Sequence, residues 1–451
     1  MPDRPNIVFV LTDQQRWDTT GVHGNPLDLT PNFDRIAREG THLYNMFTCQ
    51  PVCAPARACL QTGLYATNNG VWRNSIPLDP NQRTLAHYFN EAGYATGYIG
   101  KWHLGDPHVE GPTEPKLRGG YQYWLAANML EFTSDAYQTT MYDNDNQPVH
   151  LPGYRVDALT DAAIRYIDAH QAEPFYLFIS YLEPHFQNRR DHYPAPTGYE
   201  ERYTARWLPP DLAALGGSSH QHMGGYYGMV KRLDEALGRL MDALKSLGLE
   251  ENTIVVFTTD HGNHFKTRNS EYKRSCHESS VRIPCAIGGA AFSGGGQVRQ
   301  LTNLLDLPPT LLDAAGIPVP ASMQGHSILP LVRHEKVDWD QEVFIQISES
   351  QVGRAIRTRR WKYSVVAENL NGSATPGAER YKEDFLYDLD ADPYEMNNLI
   401  GLTSHKELVA KLRERLIARM VQAGESAPQI DPAPERAPNP QRFLFPEELN
   451  L

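Results

Sequence analysis

Short apolar segments rich in β-branched residues alternate with segments of helical periodicity over the first 340 residues, and this alternation constrains the fold more than any other feature. Segments such as 6–12 (NIVFVLT) and 253–259 (TIVVFTT) are apolar on both faces when they are read as strands. Strands of this kind belong to parallel sheets that helices cover on both sides. The same pattern predicts further strands at 95–99 and 175–181, and helices at 31–39, 84–92, 156–170 and 226–247. The sequence therefore predicts an α/β fold with a large, mostly parallel sheet and helices on both faces.

The pattern changes near residue 341, where short strands follow one another without long helices between them. These strands are predicted at 343–347, 354–357, 362–366 and 385–387, and one helix follows at 406–421. Such an order favours a small antiparallel sheet with one helix. We therefore expect an α/β domain over residues 1–340 and a C-terminal α+β subdomain over 341–451. The proline-rich tail at 427–440 is expected to run in extended form.

Composition excludes several classes of protein. The net charge is −12, which disfavours binding to nucleic acid or to anionic membranes. No apolar run is long enough to span a bilayer, so no membrane span is predicted. Five cysteines without a CxxC pair are too few for a disulfide framework or a structural zinc site. No leader is recognised, so the sequence as written is typical of a cytoplasmic protein, and of a periplasmic or secreted one if a leader was removed.

Polar residues follow two of the predicted strands directly. Asp13 and Gln14 come after the strand that ends at residue 12, and Asp260 and His261 after the strand that ends at residue 259. The carboxyl ends of parallel strands form one edge of a sheet, where α/β proteins place their sites. Carboxylate, carboxamide and imidazole groups suit a divalent cation such as Ca²⁺, Mg²⁺ or Mn²⁺. Alternatively, Asp13 caps a helix and Asp260 is a turn residue.

A further candidate is Cys53, in the segment 51–63 (PVCAPARACLQTG). Cys53 is predicted at the N-terminus of a short helix, where the free amides and the helix dipole favour negative charge. Arg57 lies one turn later and points back toward it. A cysteine nucleophile is one interpretation, and an inert core cysteine is the other.

Five segments in chain order resemble signatures of the type I, formylglycine-dependent sulfatases of the alkaline-phosphatase-like superfamily. They are 53–57 (CAPAR), 93–103 (GYATGYIGKWH), 259–262 (TDHG), 273–284 (K followed by CHESSVRIP) and 386–399 (LYDLDADPYEMNNL). The sequence departs from the family pattern at a few positions, which are Gln14, Gln61, His261 and Arg268. The resemblance covers most of the chain and implies an alkaline-phosphatase-like fold, with residues 1–340 as the catalytic domain.

The resemblance also implies the chemistry. A formylglycine-generating maturation enzyme would oxidise Cys53, and the hydrated aldehyde would attack sulfur beside the divalent metal. The implied metal ligands are Asp13, Gln14, Cys53 as formylglycine, Asp260 and His261. The implied catalytic residues are Cys53, Arg57, Lys101, His103, His185 and Lys273. In these roles Arg57 and Lys101 hold the diol and the sulfate oxygens, His103 takes a proton as sulfate is expelled, and Lys273 and His185 stabilise the leaving alcohol.

The expected activity is hydrolysis of a sulfuric ester on a sulfated carbohydrate. Candidate substrate-binding residues are Asn74, His264 and Arg268, with His277 beside them, and Trp72 or Trp102 could stack on a sugar. Two alternatives stay open, a phosphonate or phosphate diester hydrolase of the same superfamily and a catalytically silent carbohydrate-binding relative. The lysine–histidine pair Lys101 and His103 argues against the first alternative, and the oxidisable Cys53 argues against the second.

Overall fold

The fold is described from a computed structural model, over residues 4–294, 296–438 and 448. Two sheets, of eleven and five strands, account for the strands in these residues. The strands are β1 Asn6–Thr12, β2 Thr41–Phe47, β3 Ala95–Lys101, β4 Tyr123–Ala127, β5 Thr139–Tyr142, β6 Pro148–Leu151, β7 Phe175–Ser180, β8 Thr253–Thr259, β9 Arg282–Ile283, β10 Cys285–Gly288, β11 Gly296–Asn303, β12 Glu342–Ile347, β13 Gly353–Thr358, β14 Trp361–Val366, β15 Arg380–Asp388 and β16 Gln429–Asp431.

The α-helices cover both faces of the large sheet and one side of the small one. They are α1 Pro31–Glu39, α2 Cys53–Thr62, α3 Ala66–Asn69, α4 Leu85–Glu91, α5 Leu130–Thr133, α6 Arg155–Ala169, α7 Tyr199–Tyr203, α8 Pro210–Ala214, α9 Ser219–Ser246, α10 Glu278–Val281, α11 Leu307–Ala314, α12 Leu329–Val332 and α13 Lys406–Gln422. No helix among the described residues combines the length and the apolar composition needed to cross a bilayer.

The large sheet has the order β11-β2-β10-β8-β1-β7-β3-β4-β5-β6, with β9 paired to β2. Its central strands β8, β1, β7, β3 and β4 are parallel. Strand β10 runs antiparallel to both of its neighbours, and β5 and β6 form an antiparallel edge. The predicted α/β class with helices on both faces is confirmed, and the sheet as a whole is mixed because antiparallel pairs flank its parallel centre.

Strand β1 shows why the central strands are apolar throughout. Ile7, Phe9 and Leu11 lie in one buried cluster, whereas Val8 and Val10 lie in a second cluster on the opposite face. Helices α2, α4 and α11 contribute side chains to the first cluster, and α1, α6 and α9 to the second. Alternate side chains of a strand point to opposite faces, so a sheet that is covered on both sides needs an apolar residue at every position.

Helix α9 begins at Ser219, seven residues before its predicted start at 226. Its first turns contain Gly224 and Gly225, which have low helix propensity. The sequence pattern therefore predicted a helix that begins only after these glycines. A Cβ atom at residue 225 would lie 2.2 Å from the carbonyl oxygen of Tyr193. The glycines therefore let the segment that includes α7 pack closely against α9, and this packing outweighs their low propensity.

The small sheet has the order β12-β13-β14-β15-β16, and its first four strands are antiparallel as predicted. Strand β16 comes from the predicted extended tail and pairs in parallel with β15. The end of that tail, residues 439 and 440, lies outside the described residues, as does most of the segment after it. The division between domains at residues 340 and 341 stays a prediction, and the first strand of the small sheet starts at Glu342.

A buried ion cluster joins the two sheets. Lys362 of β14 is fully buried and lies 2.8 Å from Glu278 of α10 and 2.6 Å from Glu395. The Glu395 carboxylate also accepts a hydrogen bond from the main-chain N–H of Glu278. Lys362 thus joins the small sheet to the segment that follows the loop of residues 262–277.

Candidate active site

Four adjacent parallel strands end at one edge of the large sheet and bring polar side chains together there. Asp13 follows β1, and Asp260 and His261 follow β8. Lys101 is the last residue of β3, and His185 lies in the loop after β7. Because β8, β1, β7 and β3 are consecutive neighbours in the sheet, all five side chains meet at its carboxyl edge, as the rule for open α/β sheets requires.

Cys53 is the first residue of α2 and is buried at the centre of this group. Its Sγ lies 2.8 Å from Lys273 Nζ, 3.2 Å from His261 Nε2 and 3.5 Å from Asp13 Oδ1. Burial alone would raise the pKa of the thiol, but the positive charges of Lys101 and Lys273 hold that pKa well below its usual range. Such surroundings favour a reactive cysteine over an inert core residue.

The site offers a coherent set of metal ligands. One ligand atom each from Asp13, Cys53, Asp260 and His261 lies within 4.8 Å of the others. His261 Nδ1 lies 3.0 Å from the carbonyl oxygen of Gly262, so the proton is assigned to Nδ1 and the Nε2 lone pair points to the cluster. Asp260 Oδ2 is buried and accepts no hydrogen bond among the described residues. These observations fit a divalent cation with oxygen ligands and one imidazole.

The two carboxylates have different charge environments. Burial and the neighbouring Asp13 raise the pKa of Asp260. Burial would also raise the pKa of Asp13, but cations that include Lys101 and Arg57 lower it well below its usual range. The Arg57 guanidinium lies 3.0 Å from Asp13 and 3.2 Å from Asp260, and Lys101 Nζ lies 2.8 Å from Asp13. Arg57 and Lys101 therefore contact the carboxylates directly.

Gln14 has an unusual backbone, with φ at 70°. Its main-chain N–H donates to Asp260 Oδ1 at 3.1 Å, and its Oε1 accepts from Lys273 Nζ at 3.4 Å. His103 also has a positive φ, 62°, and its buried Nδ1 has no hydrogen-bond partner within the described part of the chain. Strained conformations of this kind persist where the surroundings fix them, and they concentrate at functional sites.

Near Cys53, Lys273 Nζ lies 3.3 Å from His185 Nε2. His185 Nδ1 lies 2.7 Å from the carbonyl oxygen of Phe186, which fixes the orientation of its ring. Both side chains are buried, with Lys273 and His185 each 4% exposed. Lys273 and His185 thus form a buried contacting pair, in which Lys273 also contacts the Cys53 sulfur.

The remaining predicted residues have other contacts. Asn74 Oδ1 accepts from the main-chain N–H of Ala54 at 3.1 Å, so it holds the start of α2. His264 Nε2 lies 3.0 Å from the carbonyl oxygen of Lys273. Arg268 donates to the carbonyl oxygens of residues 394 and 395. His264 and Arg268 therefore contact main chain and shape the loop that carries Lys273.

Two further candidates also pack within the protein. His277 is buried and its Nε2 lies 3.1 Å from the hydroxyl of Tyr387. Trp102 is fully buried and donates from Nε1 to the carbonyl oxygen of Leu117, so it cannot stack on a sugar. Trp72 is partly exposed.

Sequence reasoning missed three charged residues at the site. Glu131 of α5 is 2% exposed, and its Oε1 lies 3.1 Å from Lys101 Nζ. It follows the parallel strand β4 by four residues, a position that the strand-end rule could have identified. Arg274 and Glu349 form an ion pair of 2.5 Å, in which Arg274 directly follows Lys273. Glu349 follows β12 in the small sheet, so both sheets contribute to the site.

Comparison with known proteins agrees with this geometry. A family model described as Sulfatase matches residues 5–317, and one described as N-sulphoglucosamine sulphohydrolase, C-terminal, matches residues 271–422. An ulvan-active sulfatase from Formosa agariphila is 33% identical over 437 residues, which cover 92% of this chain and 81% of the relative. An N-acetylglucosamine-6-O-sulfatase from Bacteroides thetaiotaomicron is 26% identical over 503 residues, with 91% and 86% covered.

Among solved structures, one described as sulfatase yidJ from Bacteroides fragilis has a TM-score of 0.82 and 27% identity, and the match covers 94% of this chain and 97% of that one. The Sulfatase match spans more than half of the chain, and it includes the strand ends that carry Asp13, Lys101 and Asp260 and the helix start at Cys53. The chain belongs to the sulfatase family, whose members are sulfuric ester hydrolases.

Proposed function

We propose that this sulfuric ester hydrolase releases inorganic sulfate from a sulfated carbohydrate, with Cys53 matured to formylglycine as its nucleophile. The observation that carries the proposal is the position of Cys53 Sγ. It lies within 4.8 Å of ligand atoms of Asp13, Asp260 and His261 and 2.8 Å from the Lys273 ammonium nitrogen. A sulfate ester needs a nucleophile at sulfur and a cation beside the departing oxygen at the same time, and this arrangement supplies both.

The metal would be held by Asp13, Gln14, Asp260, His261 and residue 53. When bound, a divalent metal supplies a positive charge that lowers the pKa of a coordinated hydroxyl and polarises the sulfate. Mostly oxygen ligands favour Ca²⁺ over softer ions. The contacts of Arg57 with Asp13 and Asp260 support a role in orienting those carboxylates, in addition to the expected role beside the sulfate.

Formylglycine at position 53 would supply a hydrated aldehyde, and this requires a maturation enzyme as partner. Lys101 would hold sulfate oxygens, and Glu131, 3.1 Å from Lys101 Nζ, would fix its position. His103 would accept a proton at residue 53 when sulfate departs. Lys273 and His185 would act at the bridging oxygen of the ester, where negative charge develops as the bond to sulfur breaks.

Sulfated carbohydrate is the proposed substrate class because two relatives that match along most of this chain are described as acting on ulvan and on N-acetylglucosamine 6-sulfate. Asn74 is proposed to act through α2, because it accepts a hydrogen bond from the main chain of Ala54. His264 and Arg268 are proposed to act through the loop that carries Lys273. His264 contacts the carbonyl oxygen of Lys273, and Arg268 ties the loop to the carbonyl oxygen of Glu395. A catalytically silent carbohydrate-binding protein would need neither the ion-paired Lys101 nor Cys53 beside Lys273, so these residues argue against that alternative.

Two measurements on protein coexpressed with a formylglycine-generating enzyme test the proposal. Intact-mass analysis should show that a fraction of the chains is lighter by the mass of one sulfur and two hydrogens less one oxygen, because the CH2–SH side chain becomes an aldehyde, and peptide mapping should assign this change to residue 53. Ion chromatography should then detect sulfate released from a panel of position-defined sulfated mono- and oligosaccharides. Unmodified protein with full turnover, or modified protein that releases sulfate from no sugar in the panel, would contradict it.

A further inference from the structure

The rim of the site contains a charged pair that has no role in the steps above. Arg274 and Glu349 join at 2.5 Å, and their side chains are 17% and 14% exposed, so both are partly open to solvent. Both residues have positive φ, 67° and 65°. Neither is glycine, so each position carries a backbone strain of about 1–3 kcal/mol. Arg274 comes from the loop that carries Lys273, and Glu349 follows β12 of the small sheet. Because both residues are strained and pair with each other, the surrounding structure must hold the pair in place.

The pair is connected directly to the nucleophile. Glu349 Oε1 accepts from the main-chain N–H of Asn74 at 2.7 Å, and Asn74 in turn holds the amide of Ala54 beside Cys53. Arg274 is adjacent in sequence to Lys273, whose Nζ lies 2.8 Å from the Cys53 sulfur. Through these connections the pair contacts the two segments that carry Cys53 and Lys273.

The charges at this rim favour one kind of ligand. Arg274 is also paired with Glu271, so two carboxylates surround one guanidinium. Burial alone would lower the pKa of Arg274, but the carboxylates of Glu349 and Glu271 raise it above its usual value, so the guanidinium stays positively charged. The excess carboxylate repels a second anionic group of a substrate. It suits a neutral group that donates and accepts hydrogen bonds, which describes a sugar hydroxyl.

The pair also has free hydrogen-bonding capacity. A carboxylate has about four acceptor sites, and one hydrogen bond from Asn74 and one ion pair with Arg274 use two of those of Glu349. The guanidinium has five N–H donors; among the described residues Nη1 pairs with Glu271 and Nη2 with Glu349, and each of these nitrogens carries a second N–H. A hydroxyl at this rim can therefore donate to Glu349 while it accepts from Arg274.

We infer that Arg274 and Glu349 determine specificity by binding a free hydroxyl group of the sulfated sugar, and that they exclude sugars with a second sulfate or a carboxylate at that position. This inference rests on the proposed carbohydrate sulfatase function and narrows its substrate class to sugars that are uncharged at the recognised position.

The test is a cycle of substrate and enzyme changes. The substrates are the best monosulfated monosaccharide from the panel, its deoxy analogues with one hydroxyl removed at a time, its disulfated analogues, and 4-nitrophenyl sulfate. The enzymes are the matured wild type, Glu349→Ala, Glu349→Gln and Arg274→Ala. A hydrogen bond to a charged group contributes about 1.5–3 kcal/mol, which corresponds to about 10- to 100-fold in kcat/KM.

For the wild type, one deoxy analogue should lose about 10- to 100-fold in kcat/KM, mainly through KM. In Glu349→Ala, the parent sugar and that analogue should be hydrolysed almost equally. The losses should be larger on the sugar than on 4-nitrophenyl sulfate. Glu368→Gln is the matched control, because it removes a carboxylate from an exposed ion pair with Lys382 in the same sheet. Glu349→Gln keeps the size of the side chain if the alanine variant folds poorly.

Each outcome decides the inference. It is overturned if the ratio of kcat/KM between the parent sugar and each deoxy analogue is the same in the Glu349 variants as in the wild type. It is also overturned if a disulfated analogue is a better substrate than the parent sugar. In both of these cases the wild type still hydrolyses sulfated sugars, and the proposed function stands. If the matured wild type hydrolyses 4-nitrophenyl sulfate but no sugar in the panel, the carbohydrate proposal fails and this inference fails with it.

Discussion

Lys273 gives the sharpest test of how the leaving group is stabilised. Its Nζ lies 2.8 Å from Cys53 Sγ and 3.3 Å from His185 Nε2, and its side chain is almost fully buried. An ammonium group in this position can stabilise the negative charge on the bridging oxygen as the bond to sulfur breaks. A sugar alkoxide is a poor leaving group and depends on this help, whereas 4-nitrophenolate leaves readily without it. Lys273→Ala should therefore affect the two substrate types differently.

General acid assistance contributes about 10²–10⁴-fold, which corresponds to about 3–5 kcal/mol of transition-state stabilisation. We expect Lys273→Ala to lower kcat/KM by about this factor on a sulfated sugar and by about tenfold or less on 4-nitrophenyl sulfate. The assay is steady-state kinetics on both substrates, with formylglycine content measured for each preparation. Lys266→Ala is the matched control, since Lys266 lies in the same loop and pairs with Asp191 at 3.1 Å.

Equal losses on the two substrates would refute this reasoning. They would mean that Lys273 binds the sulfate group, which both substrates share, and that the leaving group is stabilised elsewhere. A loss on the aryl sulfate alone would also contradict it. Thermal unfolding of the variant separates these outcomes from misfolding.

Three further predictions follow from the same structure. Cys53→Ala should abolish sulfate release by several orders of magnitude with a melting temperature close to that of the unsubstituted chain, and wild-type turnover in this variant would exclude formylglycine chemistry. Chelation followed by dialysis should abolish turnover and lower the melting temperature, since a ligand at 100 times its Kd stabilises the folded state by about 2.7 kcal/mol. Added Ca²⁺ should restore both the turnover and the melting temperature. Full activity without metal would exclude a metal requirement. Lys362→Met should lower the free energy of unfolding by about 3–5 kcal/mol because it leaves Glu278 and Glu395 buried without their cation. Lys382→Met removes one partner of an exposed ion pair and should lower it by about 1 kcal/mol or less. Similar losses for both variants in denaturant titrations would show that the buried cluster is not stabilising.

The parts of the fold that could be predicted are those in which the local pattern and the tertiary environment agree. The strand before Asp13 is apolar from Ile7 to Leu11 because it is buried on both faces, and that same pattern placed Asp13 and Asp260 at the carboxyl edge. Cys53 was predicted at a helix start, and it is the first residue of α2. In each case the signal lies within about ten residues of the feature it predicts.

The parts that could not be predicted depend on contacts between distant segments. Arg268 was a candidate for substrate binding, but its guanidinium donates to carbonyl oxygens at residues 394 and 395, more than 120 positions away. Glu349 reaches the rim only because the small sheet packs against the large one. Glu131 lies in a helix of four residues, too short to give a periodic pattern. No local pattern specifies the partners of Arg268 and Glu349, so only the folded chain identifies them. The strand-end rule marks the position of Glu131, but its contact with Lys101 is also seen only in the folded chain.

The buried Lys362 also limits how chains of this kind can be recombined. Its charge comes from the small sheet, while the carboxylate of Glu278 comes from the part of the chain that leads into β9. Without the last part Glu278 would lose Lys362, whereas Lys362 would keep Glu395, which comes from its own part of the chain. A hybrid that joins the first part of this protein to the last part of a relative must therefore carry over the matching charge, or it will bury an uncompensated ion at the junction. We expect functional hybrids to exchange residue 278 together with residue 362, wherever else the crossover lies.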